Sequence, residues 1–162
     1  MRRAALLLVL AAITSGCGLR PLYGGGTNSA AATFLREVSV QPIPGRTGWL
    51  VRNALVDRIG TNGNSPRYRL EVELDDDLTG FGVRGDTAVT RERRTLRARY
   101  RLVDSSNGQV MLDATAGSDA GVDVVGSEYA TVAAEQTAVE RLAQVVADQI
   151  TARLSLYAVR QR

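Results

Sequence analysis

From Arg91 to Arg101 the odd positions read Arg91, Arg93, Thr95, Arg97, Arg99 and Arg101, while Leu96, Ala98, Tyr100 and Leu102 fill even positions. Side chains alternate across a strand, so an extended chain here carries cations on one face and an apolar stripe on the other. Such a strand needs a sheet with one face covered and the other open. That requirement constrains the fold more than any other feature of the chain.

The flanking segments supply the sheet and its cover. Arg36 to Gln41 alternates apolar and polar residues and is stopped by Pro42 and Pro44. Thr47 is placed to cap a helix whose Val51, Ala54, Leu55, Arg58 and Ile59 share one face, and Gly60 with Asn62 to Pro66 ends it. Tyr68, Leu70, Val72 and Leu74 then face opposite to Arg67, Arg69, Glu71, Glu73 and Asp75. A loop is expected at Asp75-Asp76-Asp77 and Gly80-Phe81-Gly82, followed by a long strand over Thr87 to Val103.

Asp104 to Gly108 is a turn, and Val110, Leu112 and Ala114 continue as the hairpin partner. Ser127 to about Tyr157 reads as a helix with Ala138, Leu142, Val145, Val146, Ile150 and Leu154 along one stripe. The order β-α-β-β-β-α predicts an α+β two-layer sandwich: a four-stranded mixed sheet covered on one face by two helices. Residues 35–158 form that single domain and 159–162 a short tail. Hydrophobic content of 44% and charged content of 23% fit a packed domain of this length.

The amino terminus has a different composition. Arg2 and Arg3 precede about ten apolar residues from Ala4 to Ile13, too few to span a bilayer but typical of a signal-peptide core. Thr14-Ser15-Gly16 then places small residues directly before Cys17, as a lipoprotein peptidase requires. Residues 1–16 read as a removed lipoprotein signal, with Cys17 as the lipid attachment site. Residues 17–34, with Gly24-Gly25-Gly26 and Ala30-Ala31-Ala32, read as a lipidated start and flexible tether. Gly18 follows the cysteine where Asp would resemble an inner-membrane retention signal, so the expected address is the periplasmic side of the outer membrane.

Composition excludes several chemistries. With no histidine and Cys17 as the one cysteine, neither a Ser-His-Asp or Cys-His arrangement nor a zinc site of Cys/His type can be built. No cofactor is expected. The formal charge of +3 includes Arg2 and Arg3, so the mature chain is close to neutral and its basic pI is no sign of nucleic acid. Every basic residue is arginine, which suits planar contacts to phosphate and carboxylate but also follows from a GC-rich genome.

The arginine row has two readings. Arg97, Arg99 and Arg101 would face Glu71 and Glu73 in a hairpin and form exposed ion pairs. Arg91 and Arg93, nearer the loop end, are expected to lack partners and are the better ligand candidates. Asp75-Asp76-Asp77 lacks the ligand spacing of a calcium loop and reads as a solvated hairpin end. Gly80 to Gly85 does not open a helix after a strand, as a phosphate loop would.

Cys17-Gly18-Leu19-Arg20-Pro21-Leu22-Tyr23 resembles the mature start of the lipopolysaccharide-assembly lipoprotein (LptE) family, where Cys-Gly-Phe-x-Pro-Leu-Tyr is common; Leu19 stands in place of the aromatic residue. The element order is similar as well. The resemblance implies a partner, the outer-membrane translocon barrel LptD, and a role in delivering lipopolysaccharide to the cell surface without catalysis. Arg91, Arg93, Arg97 and Arg99 are then candidates for contact with lipopolysaccharide phosphates. Two other classes stay open: a scaffold lipoprotein of another envelope machine, and a double-stranded RNA-binding module, whose helix, three strands and helix share this order. An enzyme is disfavoured, since carboxylates alone remain for acid/base work and no paired site is evident.

Overall fold

The computed structural model describes residues 29–60, 66–83, 89–124 and 126–161. Its elements are helix α1 (Ala30–Leu35), strand β1 (Val38–Val40), helix α2 (Gly45–Ile59), strands β2 (Tyr68–Val83), β3 (Val89–Asp104) and β4 (Val110–Asp123), and helix α3 (Glu128–Arg160). The strands form one sheet in the order β1-β2-β3-β4. β1 runs parallel to β2, and the other two pairs are antiparallel. This is the mixed four-stranded sheet expected, with one short helix added in front.

Register follows from the alternation. Leu70 lies opposite Leu102, Val72 opposite Tyr100 and Leu74 opposite Ala98. The even positions of β2 and β3 therefore share the inner face, where Leu70, Val72, Leu96, Ala98, Tyr100 and Leu102 are buried. Slipping one residue would exchange this stripe for the arginines, so burial fixes the pairing.

α3 has 33 residues and spans about 50 Å at 1.5 Å per residue, close to the length of 16-residue β2 and β3 at about 3.3 Å per residue. Its buried stripe runs through Ala138, Leu142, Val146, Ile150 and Leu154, with Val139, Ala143 and Ala147 beside them. Val145, expected on that stripe, is 39% exposed. Spacings of three and four carry the contact line past it through Leu142 and Val146, so it falls on the opposite side.

α2 packs alongside and is tied to α3 by Arg58. Arg58 Nε donates to Asp148 Oδ1 at 2.6 Å, Nη1 to the Ala54 carbonyl at 2.7 Å, and Nη2 to Gln144 Oε1 at 2.8 Å. Gly48 is required where α2 meets the preceding turn, because a Cβ there would come within 2.6 Å of the Ile43 carbonyl oxygen. Thr47 is not the cap expected of it. Pro44 occupies the N-cap without a side-chain bond, and Thr47 lies inside the first turn.

Two further boundaries differ from expectation. Ala30–Leu35 is helical rather than tether: Ser29 Oγ accepts from the Ala32 amide at 3.1 Å, and Phe34 packs on Tyr68 and Tyr157 with ring centroids 5.1 and 5.8 Å away. A cap and an aromatic cluster outweigh what small residues alone suggest. Asp75 to Asp77 and Gly80 to Gly82 are not a loop but part of β2, whose pairing with β3 continues through Asp76–Leu96, Asp77–Thr95 and Phe81–Arg91. Cys17 and the signal segment lie outside the described residues.

Candidate functional site

The outer face of the sheet carries the arginine row. Arg91, Arg93, Thr95, Arg97, Arg99 and Arg101 project from β3 at about 7 Å intervals. Glu71, Glu73, Asp75 and Asp77 flank them from β2, and Asp113, Asp119 and Asp123 from β4. The row is thus bordered by carboxylates on both sides, because β4 contributes acids that a β2–β3 hairpin alone does not show.

Those acids change which arginines are available. Arg91 Nε lies 3.0 Å from Asp123 Oδ1, and Arg93 Nε lies 3.9 Å from Asp119 Oδ2. Arg93 also sits over the Phe81 ring, 5.4 Å from its centroid. The expectation that Arg91 and Arg93 lack partners is therefore wrong, since both pair across to β4. Arg99 grips Asp113 with two bonds, Nε to Oδ1 at 3.2 Å and Nη2 to Oδ2 at 2.8 Å. This fork holds the Asp113 carboxyl below the usual carboxylate range. Arg101 bridges Glu71 and Glu73, each at 3.3 Å, as the hairpin reading expects. These pairs are exposed and screened by solvent, so each contributes little to folding.

Arg97 is the exception. Among the described residues it alone in the row has no carboxylate within ion-pair distance. Its Cα partners are Asp75 on β2 and Gly117 on β4. Gly117 has no side chain to fill the space beside the guanidinium. The result is an open hollow bordered by Glu73, Asp75, Thr95, Thr115 and Asp119, with Arg97 among them. A guanidinium in a hollow that two threonines also line is suited to an oxyanion. The surrounding acids favour an anion that brings cations of its own.

Strand alternation also disposes of the triple aspartate as a cluster. Asp75 and Asp77 point outward, while Asp76 turns to the inner face. There Arg94 Nε donates to Asp76 Oδ1 at 2.9 Å and Nη2 to Oδ2 at 2.7 Å, and Thr47 Oγ1 donates to Oδ2 at 2.7 Å. The Arg94 fork, helped by Thr47, holds Asp76 below the usual carboxylate range against a smaller opposing effect of burial. This link joins β2 and β3 to the start of α2. Its signal in the sequence was Arg94 itself, a charge at an inward position of a strand, which needs a partner. Nearby, burial first and Glu135 second push the Glu92 carboxyl up.

A profile of known lipopolysaccharide-assembly proteins matches residues 35–154. The chain belongs to the LptE family. Across 96% of this LptE-family chain and 97% of the relative, an uncharacterised protein of Rickettsia prowazekii (strain Madrid E) is 24% identical. A crystal structure described as a proposed lipoprotein of Caulobacter crescentus CB15 is similar at a TM-score of 0.69 and 25% identity, covering 83% of this chain and 98% of that one. The rare lipoprotein B of Shewanella oneidensis shares the fold at a TM-score of 0.60 and 11% identity, over 76% and 96% of the two chains. Family membership makes this a lipopolysaccharide-assembly lipoprotein and sets aside the RNA-binding alternative. Among the described residues no helix is long and apolar enough to cross a membrane.

Proposed function

We propose that this LptE-family protein is anchored through acylated Cys17 on the periplasmic side of the outer membrane. There it partners the translocon barrel LptD and contacts lipopolysaccharide through the outer face of its sheet. The observation that carries the ligand part is Arg97, a guanidinium without a carboxylate partner among the described residues, in a hollow left by Gly117. Arg91, Arg93 and Arg99 lie along the same row as a second rank, each able to exchange an exposed pair for a phosphate contact.

Arg97→Glu tests the ligand contact. It should lower affinity for purified lipopolysaccharide about tenfold or more, the scale of one charge-assisted contact of about 1.5–3 kcal/mol, with little change in melting temperature. Arg91→Glu alone should do less, because Asp123 already competes for that guanidinium. Equal binding by wild type and Arg97→Glu would remove the outer face from the ligand contact.

A further inference from the structure

The one tryptophan of the chain, Trp49, sits in the second turn of α2 with 62% of its surface exposed. The buried side of this helix runs through Gly48, Val51, Ala54, Leu55 and Ile59, so Trp49 points away from the core it could have joined. Arg46 precedes it by three residues and Arg52 follows it by three, which puts one cation on each side of the ring at helical spacing. Neither guanidinium has a carboxylate within ion-pair distance among the described residues. The buried Nε of Arg52 likewise finds no acceptor there. No acid occupies the first turn, and the first on the helix is Asp57.

Folding does not explain this arrangement. A positive charge in the first turn of a helix opposes its dipole, so Arg46 stands where stability would prefer Asp or Glu. Most arginines of the sheet face are balanced by acids, whereas Arg46 and Arg52 flank an exposed indole unpaired among the described residues; the carboxylate that reaches this turn, Asp76 on Thr47, is engaged by Arg94. A tryptophan ring with a cation on either flank matches the interfacial layer of a bilayer, where indole rings settle at headgroup depth. Arginines near an anionic surface add about 1 kcal/mol each.

We propose that Arg46, Trp49 and Arg52 dock the start of α2 onto the phosphate layer of a lipid bilayer. The exposed indole of Trp49 anchors at the interface, and the two guanidinium groups contact headgroup phosphates. This rests on the reading that the chain is held at a membrane, but the contact is separate from acylation at Cys17. It would orient the domain, leaving the sheet's outer face free.

Trp49 is its own probe. The mature chain carrying Cys17→Ser, which cannot be acylated, is titrated with vesicles of phosphatidylcholine alone or with phosphatidylglycerol, and tryptophan emission is followed. The expected result is a shift to shorter wavelength with the anionic vesicles, reversed by salt. Replacing both Arg46 and Arg52 by Gln should weaken vesicle binding about thirtyfold, the effect of two cations at a charged lipid surface, without lowering the melting temperature. Unchanged emission on anionic vesicles at low salt would overturn the proposal. So would a photo-crosslinker at position 49 that captures a protein in cells while vesicles leave the emission unmoved, which would make the face a protein interface. Failure of fatty-acid labelling at Cys17 would instead strike the lipoprotein reading and leave the vesicle result to stand alone.

Discussion

The side-chain amide of Gln149 on α3 pairs with the backbone of Gly117 on β4, accepting from its N–H at 3.0 Å and donating to its carbonyl at 3.2 Å. β4 is an edge strand with 14 residues, and an open edge is a template for pairing with another chain. The glutamine amide presents the same donor and acceptor as a neighbouring strand and holds that place at mid-strand. The helix covering the inner face thus also guards the edge.

Gln149→Ala should therefore promote self-association more than it lowers stability. Two part-exposed hydrogen bonds are lost, about 0.5–1.5 kcal/mol each at most, while Gly117 becomes open to a second chain. Sedimentation velocity of the mature chain should show dimer for the variant at concentrations where wild type is monomeric. Adding Thr115→Pro, which removes an amide on the same strand, should restore the monomer. A monomeric Gln149→Ala would show that the edge is protected in another way.

The Asp76–Arg94–Thr47 link predicts a particular acid dependence. The Asp76 pKa is lowered in the folded state, so its stabilisation is fully present above the unfolded value near 3.9 and is lost as pH falls through the lower folded value. Asp76→Asn should cost about 1–3 kcal/mol at neutral pH, and the gap from wild type should close on acidification below about pH 4. Melting temperatures of both proteins from pH 7 to pH 3 test this. A gap that stays constant would mean that the Asp76 charge contributes nothing.

The contact line of α3 is tested by a pair of substitutions one turn class apart. Leu154 is fully buried and Val145 is 39% exposed. Leu154→Ala should cost about 2–5 kcal/mol, whereas Val145→Ala should stay within about 0.5 kcal/mol. Urea denaturation of the two variants distinguishes them, and similar losses would place Val145 in the core.

The reach of the sequence can be judged from the same residues. Leu96, Ala98, Tyr100 and Leu102 were legible as a core stripe because alternation is local and needs no knowledge of partners. The covering of one face by helices followed from that one-sidedness. What could not be read was pairing between distant strands. The acids of β4 that engage Arg91 and Arg93 lie some thirty residues away in sequence, and their register depends on the turn at Asp104 to Gly108. The three aspartates misled for a related reason. A run of charges resembles a loop until the inward one finds Arg94 on the next strand. Arg97 stood out only after its neighbours had been paired off.

Co-purification from native membranes tests the lipopolysaccharide-assembly role most directly. The full-length protein, tagged at its carboxyl end and extracted in mild detergent, should bring down one outer-membrane β-barrel, LptD, in near-equal amount by mass spectrometry. The Cys17→Ala variant should lose most of it. Recovery of the tagged protein alone, or with a different envelope machine and no barrel, would contradict the proposed partnership.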